Sequence, residues 1–318
     1  MKKLILIDGN AILHRAFHAL PPLTKNGEII NAVYGFFSMF IKILEDQKPT
    51  HIVVCFDRAA PTFRKEMYVG YQSKRPKVSD DLVPQIKKVH DILGNAKISI
   101  FEIDGYEADD MIGTISVQAV SGKLDGQMEV VIVSGDRDLL QLVNSHVKMI
   151  APVTGLTNMI VYDSAKVEEK FGIKPSQIVD YKALIGDSSD NYPGITGIGP
   201  KTAANLLREY GSFENMYKKI DSLPPKIAEK LVTDAEQAAL AKKLATIVID
   251  APIKLSLEEC SFSDSNFEAL KKEFKRLEFK SLLKRLEPNG SKEKKEPKET
   301  EETEEKKKKG KNQQLGFL

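Results

Sequence analysis

The sequence predicts an α/β fold in which a mainly parallel, twisted sheet has helices on both faces and is followed by a helical region. Continuous apolar runs occupy residues 4–7, 52–56, 98–103 and 130–133. Such runs, as opposed to alternating ones, are typical of parallel strands buried on both faces. Longer stretches with helical periodicity lie between them, for example at residues 32–44 and 82–93. This alternation of strands and helices predicts a doubly wound sheet.

The composition is that of a folded protein without a disulfide framework. Of its 318 residues, 42% are hydrophobic and 29% are charged, with a formal net charge of +2, and the length suggests two domains. Cys55 and Cys260 are far apart and form no CxxC pair, which favours a reducing cytoplasm. The apolar stretch at residues 4–7 is too short for a signal peptide, and no run approaches a membrane span. We therefore expect a cytoplasmic protein.

The composition and the hydrophobic pattern of the sequence change near residue 175. Strand-like runs become rare, and residues 201–210 and 227–244 are rich in Ala, Leu and Lys, which favours helices. Residues 289–312 contain no aliphatic or aromatic residue, so they cannot bury enough apolar surface to offset the entropy of ordering. The predicted units are an α/β domain at 1–175, a helical subdomain at 176–287 and a disordered charged tail at 288–318.

Acidic residues follow three of the predicted strands. Asp8 follows the first run, Asp57 follows the second, and the string SGDRDLL after the fourth carries two more acids. Because ligands of open α/β sheets bind at the carboxyl ends of the strands, these side chains should share one crevice. The strings GYEADDMIGT and GDSSDN add acids three residues apart, a spacing that places both on one helical face. The candidates are Asp8, Asp57, Glu107, Asp109, Asp110, Asp136, Asp138, Asp187 and Asp190.

Each of these acids has an ordinary explanation when it is taken alone. A single Asp after a strand often caps a helix or a turn, and acids in a first helical turn complement the helix dipole. A converging group is different, because like charges packed together need cations. Mg²⁺ and Mn²⁺ are hard, oxygen-seeking ions, and two of them would serve in-line phosphoryl displacement. The acids therefore predict a two-metal nuclease site.

Two segments are candidates for binding DNA. Residues 58–78 carry six bases, one acid and three aromatic residues, which suits a phosphate backbone and stacked bases, although such a loop can also be plain solvated surface. In GITGIGPKTAANLL, residues 194–207, glycines permit a tight turn before a helix whose N-terminus favours an anion. This string lacks the GKS or GKT of a P-loop and fits a hairpin grip on the DNA backbone. Its candidate DNA-binding residues are Gly197, Gly199, Lys201 and Thr202.

In combination these motifs resemble a known family. The strings LIDGNAILHRAFHALPPL, FDRAAPTFRKEMY, GYEADDMIGT, VIVSGDRDLLQLV and GDSSDNYPGITGIGPKTAANLL cover roughly residues 1–285. They are similar to the 5′–3′ exonuclease, or flap endonuclease, domain at the N-terminus of bacterial DNA polymerase I. The resemblance implies a PIN-like domain with a helical arch at about residues 58–90, and a helix-three-turn-helix subdomain. It also implies two-metal hydrolysis that removes flaps or RNA primers and leaves a 5′-phosphate.

The resemblance implies roles for individual residues. Its first metal group is Asp8, Asp57, Glu107, Asp109 and Asp110. Its second metal group is Asp136, Asp138, Asp187 and Asp190, with Asp136 close to both ions. The basic residues expected to contact the scissile strand are Arg15, Arg64 and Arg75, and those expected to assist catalysis are Arg64, Lys74 and Arg75. The turn at Gly197 and Gly199 would bind K⁺ through carbonyl oxygens and hold the downstream duplex.

The chain departs from the family pattern in the arch. The family has lysine directly after the tyrosine that precedes the arch arginine, whereas this chain has Gln72 after Tyr71. We expect Lys74 to substitute for it, with slower catalysis or a greater dependence on Arg75.

The end of the sequence suggests a protein partner. Gln314, Leu315, Phe317 and Leu318 resemble the peptide that binds the bacterial sliding clamp. A match this short also arises by chance, yet an apolar peptide behind a tether is what docking needs. No polymerase segment follows within these residues, so the chain is either a free-standing nuclease or a natural fragment, and the tail favours the first. We also expect a monomer that is associated with the nucleoid.

Two other functions fit the same residues. A catalytically weak flap-binding module is suggested by Gln72, and it would bind flaps tightly with negligible turnover. A PIN-type ribonuclease shares the acidic crevice, but the hairpin at residues 194–207 argues against it. A phosphatase is a weaker alternative, because that chemistry needs one nucleophilic Asp rather than nine ligands.

Overall fold

The computed structural model describes residues 2–122 and 126–287. The predicted tail and clamp peptide therefore lie outside the described residues. The strands are β1 (Lys3–Asp8), β2 (Thr24–Lys25), β3 (Glu28–Ile29), β4 (His51–Cys55), β5 (Ser99–Phe101), β6 (Glu129–Val133), β7 (Val147–Thr154), β8 (Asn158–Tyr162), β9 (Gly186–Asp187) and β10 (Tyr192–Pro193). The helices are α1 (Gly9–Ala19), α2 (Asn31–Gln47), α3 (Phe63–Met67), α4 (Val83–Asn95), α5 (Ala108–Val120), α6 (Ser164–Phe171), α7 (Ile178–Ile185), α8 (Pro200–Tyr210), α9 (Phe213–Lys218), α10 (Pro225–Thr233), α11 (Ala235–Ala245), α12 (Asp264–Arg276) and α13 (Lys280–Leu286).

A six-stranded sheet with the order β5-β4-β1-β6-β7-β8 forms the centre of the molecule. All neighbours in it are parallel except β7 and β8, which form an antiparallel edge. The four apolar runs are confirmed as β1, β4, β5 and β6. The sequence analysis did not identify β7 and β8, since several of their residues are half-buried or exposed and lack a continuous apolar run.

Helices cover both faces of the sheet, as predicted, because alternate strand residues point to opposite sides. Leu4 and Leu6 of β1 pack with α5, whose Met111, Ile112 and Ile115 are buried in the same cluster. Ile5 and Ile7 point the other way into a cluster with residues of α2, α4, α12 and α13. Both clusters lie against the central strand, so the carboxyl end of that strand is held from two sides.

The helical region after residue 175 packs against the α5 face. The predicted helical stretch at residues 227–244 is divided into α10 and α11. The break lies at Asp234, whose carboxylate accepts a hydrogen bond from the Thr196 backbone N–H at 2.7 Å. This contact ties the glycine-rich turn to the helices behind it.

The last two helices return to the first part of the chain. Phe274 of α12 packs edge-on against Phe37 of α2, with ring centroids 5.3 Å apart. Arg285 of α13 donates two hydrogen bonds to the carboxylate of Glu45 in α2, at 3.1 and 2.9 Å. The segment 264–286 therefore completes the core around the sheet.

The arch predicted at about residues 58–90 is shorter in the structure. Val89, Ile92 and Leu93 of α4 are buried in the cluster that contains α2. Leu82, directly before α4, is buried in the same cluster, and the short helix α3 lies in the segment that precedes it. Among the described residues, no helix is long and apolar enough to cross a membrane.

Candidate metal centre and DNA-binding surface

Three parallel strands bring their carboxyl ends to one edge of the sheet. Asp8 is the last residue of β1 and lies opposite Cys55, the last residue of β4, so Asp57 follows two residues beyond it. Ile7 lies opposite Val133 at the end of β6, and Asp136 follows three residues later. The predicted convergence of these three acids follows from this register.

Asp8 is held by two hydrogen bonds. It caps the N-terminus of α1, where Oδ1 accepts from the Ala11 N–H at 2.9 Å. Its Oδ2 accepts from the Ser134 hydroxyl at 2.6 Å. Burial raises the pKa of Asp8 to about 7, and the nearby carboxylates of Asp57 and Asp136 act in the same direction.

Ser134 joins two of the acids and was not among the predicted residues. Besides donating to Asp8, its oxygen accepts from the Asp136 backbone N–H at 2.9 Å. Ser134 is fully buried, directly after β6. Its position in the string SGDRD is the signal that could have identified it.

Asp57 and Asp109 extend the group. Asp57 Oδ1 accepts from the Ala108 N–H at 2.7 Å, which joins the end of β4 to the start of α5. Burial raises the pKa of Asp109 well above its ordinary value, and the charges of Asp136, Asp8 and Asp57 add to the effect. Four carboxylates thus lie within each other's field, which is the condition that a bound cation relieves.

Glu107 precedes α5 and faces the arch. Its Oε2 accepts from Arg64 at 3.2 Å and from the Tyr71 hydroxyl at 3.1 Å, and its Oε1 accepts from Thr62 at 3.2 Å. Burial raises the pKa of Glu107 to about 7 although Arg64 opposes the shift. Tyr71 is 5% exposed, so it cannot stack on a base as the sequence suggested and instead supports this carboxylate.

Arg64 does not lie where the sequence analysis placed it. Only 2% of it is exposed, and all five of its N–H groups are used inside the protein. Two of them donate to both oxygens of Asp110 at 2.7 Å each, and others donate to the carbonyls of Leu244 and Thr246 at 2.9 and 2.8 Å. No donor remains for a DNA phosphate, so the predicted contact with the scissile strand does not fit this position.

Asp110 is likewise occupied by protein groups. Besides the Arg64 pair, its oxygens accept from the backbone N–H groups of Val248 at 2.9 Å and Glu107 at 3.1 Å. It is completely buried, and a carboxylate has about four acceptor sites. The predicted role of Asp110 as a metal ligand therefore does not fit the structure, which gives it the position of a support for α5.

The second acidic group forms a tight cluster. Single carboxylate oxygens of Asp138, Asp187 and Asp190 lie within 4.8 Å of one another. The ammonium group of Lys182 contacts both Asp138 and Asp187. Burial acts to raise the pKa of Asp187, but Lys182 outweighs it and holds that pKa below its ordinary value. Lys182 was not predicted, although it lies in the string YKALIGDSSD immediately before these acids.

A close approach of two glycines shapes the loop that carries Asp187 and Asp190. The short strands β9 and β10 pair so closely that a Cβ on Gly194 would lie 2.2 Å from the Gly186 backbone nitrogen. Gly186 also has φ of +74°, a region that L side chains rarely adopt. Both glycines are therefore needed to bring the two acids together.

The base of the arch docks on this loop. The Gln72 backbone N–H donates to the Asp190 carbonyl at 2.8 Å, and Gln72 has φ of +55°. The Arg75 guanidinium pairs with the Asp190 carboxylate at 2.5 Å. Asn191 donates to the Gly70 carbonyl at 2.8 Å. Arg75 thus lies beside the second acidic group, whereas Lys74 is exposed to solvent.

The other predicted DNA contacts lie at two places on the surface. Arg15 donates to the carbonyls of Val153 at 2.8 Å and Gly155 at 3.2 Å, which tie it to the turn between β7 and β8. Gly199 precedes α8, and Lys201 and Thr202 lie in its first turn, exposed and half-buried respectively.

The turn before α8 already holds one cationic side chain. The Gly197 carbonyl accepts from the Lys230 ammonium group at 3.0 Å. Gly197 has φ of +73°, which turns the backbone towards α8.

Comparison with known proteins identifies the family of this chain. Residues 3–172 match the 5′–3′ exonuclease N-terminal resolvase-like domain, and residues 173–268 match the 5′–3′ exonuclease C-terminal SAM fold. The chain belongs to the 5′–3′ exonuclease family. It is 40% identical over 288 residues to the 5′–3′ exonuclease of Aquifex aeolicus, with 90% of this chain and 96% of that protein covered.

Other members of the family are longer. The chain is 44% identical over 287 residues to DNA polymerase I of Caldicellulosiruptor bescii, covering 89% of this chain and 33% of that protein. It therefore spans about a third of the polymerases that it matches. A complex of the bacteriophage T5 flap endonuclease with DNA and metal ions has the same fold, with a TM-score of 0.62, 20% identity, and coverage of 90% of this chain and 99% of that chain.

The donors of this family member fit hard divalent cations. Every candidate ligand is a carboxylate, the type of donor that Mg²⁺ and Mn²⁺ prefer. The tight cluster of Asp138, Asp187 and Asp190 has the spacing that lets three oxygens reach one ion. Asp136 is next to both acidic groups. Its Oδ1 accepts from the Asp138 backbone N–H at 2.9 Å, and its charge helps to raise the pKa values of Asp8 and Asp109.

Proposed function

We propose that this chain is a divalent-metal-dependent 5′–3′ exonuclease and flap endonuclease. It hydrolyses phosphodiester bonds in DNA and RNA primers at 5′ flaps and nicks, and leaves a 5′-phosphate. The observation that carries the proposal is the pair of adjoining acidic groups at the carboxyl edge of the sheet, in a member of the 5′–3′ exonuclease family.

Seven acids have the positions needed to hold two ions. Asp8, Asp57 and Asp109 would hold the first, Asp138, Asp187 and Asp190 the second, and Asp136 lies beside both. When bound, two such ions supply an activated water and stabilise the charge on the leaving oxygen. Glu107 faces the first group, but three protein donors already occupy its oxygens.

The chain's own residues prepare the site in three ways. Ser134 orients Asp8 and fixes the backbone at Asp136 through its two hydrogen bonds. The Arg64–Asp110 pair holds α3 against the start of α5 and so keeps Glu107 and Asp109 in place. Lys182 neutralises Asp138 and Asp187, and a second-site cation replaces that charge when it binds.

The arch supplies positive charge for the scissile phosphate. Arg75 lies next to the second acidic group and is nearly half exposed, at 46% of its side chain. A phosphate that enters the crevice competes with Asp190 for this guanidinium, since Arg binds phosphate and carboxylate in the same bidentate manner. Lys74 is one residue away and exposed, which supports its role as a second base at the phosphate.

The turn at Gly197 and Gly199 grips the DNA backbone. α8 begins at Pro200, and its free N–H groups favour an anion such as a phosphate. Lys201 adds charge at the same end. We further propose that K⁺ takes the place of the Lys230 ammonium group at the Gly197 carbonyl when the duplex is bound.

A cleavage assay with end-labelled substrates tests the proposal. The parent protein should cut 5′-flap DNA, nicked duplex and primer substrates with Mg²⁺ or Mn²⁺, and EDTA should stop it. Asp136→Ala should abolish cleavage and leave flap binding largely intact, because Asp136 lies beside both acidic groups and not on the DNA surface. Asp250→Ala, at an exposed acid, is the control and should cut like the parent.

The outcomes of this assay separate the candidate functions. A parent protein that leaves flaps uncut with either metal, yet binds them tightly, would identify a flap-binding module. Cleavage of single-stranded RNA irrespective of any junction would identify a ribonuclease. Loss of both cutting and binding in Asp136→Ala would contradict the role assigned to that residue.

We also propose that the C-terminal peptide binds the bacterial sliding clamp. The match at residues 314–318 supports this proposal, together with the charged tether before it. Immobilised clamp should retain the full chain and release a chain that lacks residues 313–318. Equal retention of both chains would refute the proposal without affecting the nuclease assignment.

A further inference from the structure

Tyr192 carries a buried hydroxyl group with no hydrogen-bond partner. Within residues 2–122 and 126–287 it is the only buried side-chain oxygen or nitrogen in that condition. The residue is 4% exposed. Buried polar groups in native proteins are almost always paired, so this oxygen indicates a partner that is not part of the polypeptide.

The position of Tyr192 directs attention to the second acidic group. In the pairing of β9 with β10, Tyr192 lies opposite Asp187, and it follows Asp190 by two residues. Residues directly opposite each other in an antiparallel pair project from the same face. The Tyr192 side chain therefore lies on the same face of this pair as the Asp187 carboxylate.

The ring of Tyr192 is held rigidly. It is buried in a small cluster with Tyr71 and with Ala241 and Leu244 of α11. Its ring and that of Tyr71 are nearly parallel, at 19°, with centroids 6.4 Å apart. The two tyrosines differ in one respect, because the Tyr71 hydroxyl donates to Glu107 at 3.1 Å and to Asp190 at 3.2 Å.

Protein groups already occupy much of the second acidic group. Asp138 and Asp187 contact Lys182, and Asp190 contacts both Arg75 and Tyr71. A divalent cation that displaces Lys182 brings its own hydration shell, since Mg²⁺ in particular keeps several water molecules when it binds to proteins. Those water molecules are strong hydrogen-bond donors, and a phenolic oxygen is an acceptor.

We propose that the Tyr192 hydroxyl accepts a hydrogen bond from the hydration shell of the divalent cation held by Asp138, Asp187 and Asp190. Tyr192 is then a positioning residue of this chain for the second cation. The inference rests on the proposed function, because it requires that the second acidic group binds a metal ion.

Tyr192→Phe is the decisive variant, because it removes one oxygen and leaves the packed ring. Binding of Mn²⁺ to the full chain is measured by electron paramagnetic resonance of the free ion, in the absence of DNA. We expect one of the two Mn²⁺ sites to lose about tenfold in affinity while the other keeps the parent's affinity, the effect typical of groups that support metal ligands. Without metal, the variant should melt at the same temperature as the parent or higher, because the orphaned oxygen is gone.

Tyr181→Phe is the matched control. Burial alone raises the pKa of Tyr181, without a contribution from any carboxylate. Its Mn²⁺ affinities should equal those of the parent.

The outcomes distinguish the inference from the proposed function. If the parent chain binds no Mn²⁺, the proposed metal-dependent function fails and the inference fails with it. If the parent binds two ions and Tyr192→Phe binds them with equal affinity, only the inference is overturned. A variant that melts well below the parent in the absence of metal also overturns it, because the hydroxyl then belongs to the metal-free fold.

Discussion

Arg64 offers the sharpest test, because its position in the sequence and its position in the structure suggest different roles. Replacing it with Met removes the charge and keeps most of the side-chain volume. The variant leaves Asp110, which is completely buried, without its counter-charge. Breaking a buried ion pair in this way costs about 3–5 kcal/mol. Whole proteins have free energies of unfolding of about 5–15 kcal/mol, so Arg64→Met should lose a large part of its stability.

The size of the effect separates the two roles. Arg58 forms an exposed pair with Asp104 at 3.1 Å, with 47% of the Arg58 side chain exposed. Such surface pairs contribute about 0–1 kcal/mol, so Arg58→Met is the control. Adding Asp110→Asn to Arg64→Met should recover part of the lost stability, because asparagine leaves no buried charge.

Urea unfolding without metal or DNA, followed by circular dichroism, measures the loss of stability. Flap binding in Ca²⁺, followed by fluorescence anisotropy, measures any loss of DNA contact. We expect Arg64→Met to lose stability and, at a temperature where it is folded, to retain most of its flap affinity. If Arg64→Met unfolds like the parent and loses flap affinity, the guanidinium contacts DNA and our interpretation of its five hydrogen bonds is wrong.

Two further predictions concern the charge of the metal-free site. Lys182→Met should lower the melting temperature without metal, because Asp138 and Asp187 lose their neutralising charge. Mg²⁺ should then raise the melting temperature of the variant by more than it raises that of the parent. An equal response of both proteins to a Mg²⁺ titration, followed by differential scanning fluorimetry, would contradict this prediction. The pKa values of Asp8 and Glu107 are raised to about 7, so the folded protein binds more protons than the unfolded chain between about pH 4 and about pH 7. These groups therefore make the metal-free protein less stable as pH rises through that window. The stabilisation by Mg²⁺ should be larger at about pH 8 than at about pH 5. Thermal melts in which Mg²⁺ stabilises the protein more at the lower pH would exclude the assigned protonation states.

The parts of the site that could be predicted are those that depend on a short, local sequence pattern. A continuous apolar run followed by Asp signals both a buried parallel strand and a carboxylate at its end, and this pattern predicted that Asp8 and Asp57 lie at one edge of the sheet. The same reasoning assigned Asp110 to a metal ion, whereas in the structure its oxygens accept from Arg64. An acid in the first turn of a helix looks the same in the sequence whether it faces a metal ion or a buried arginine. Glu107 and Asp110 do lie close together, as their three-residue spacing predicted. In the structure, however, Asp110 accepts a hydrogen bond from the Glu107 backbone N–H at the start of α5.

The parts that could not be predicted depend on distant segments. The string FRKEMY has the composition of a surface loop, and Arg64 is buried only because the carbonyls of Leu244 and Thr246 close over it, 180 and 182 residues later. Lys182 was not identified because a lysine near acids is usually a surface residue, and only the folded chain brings both Asp138 and Asp187 into contact with it. The edge strands β7 and β8 were missed because exposed residues in both strands interrupt the continuous apolar run that identified the other strands.

The return of α12 and α13 to the sheet has a consequence for how the protein is made. Phe36, Phe37 and Phe40 of α2 are synthesised early, but α12, which covers part of their surface, emerges more than two hundred residues later. The acidic groups lie at the ends of strands whose second face is completed by α12 and α13. We therefore expect these aromatic rings to stay partly uncovered during synthesis, and the acidic site to reach its final packing only after α12 has docked.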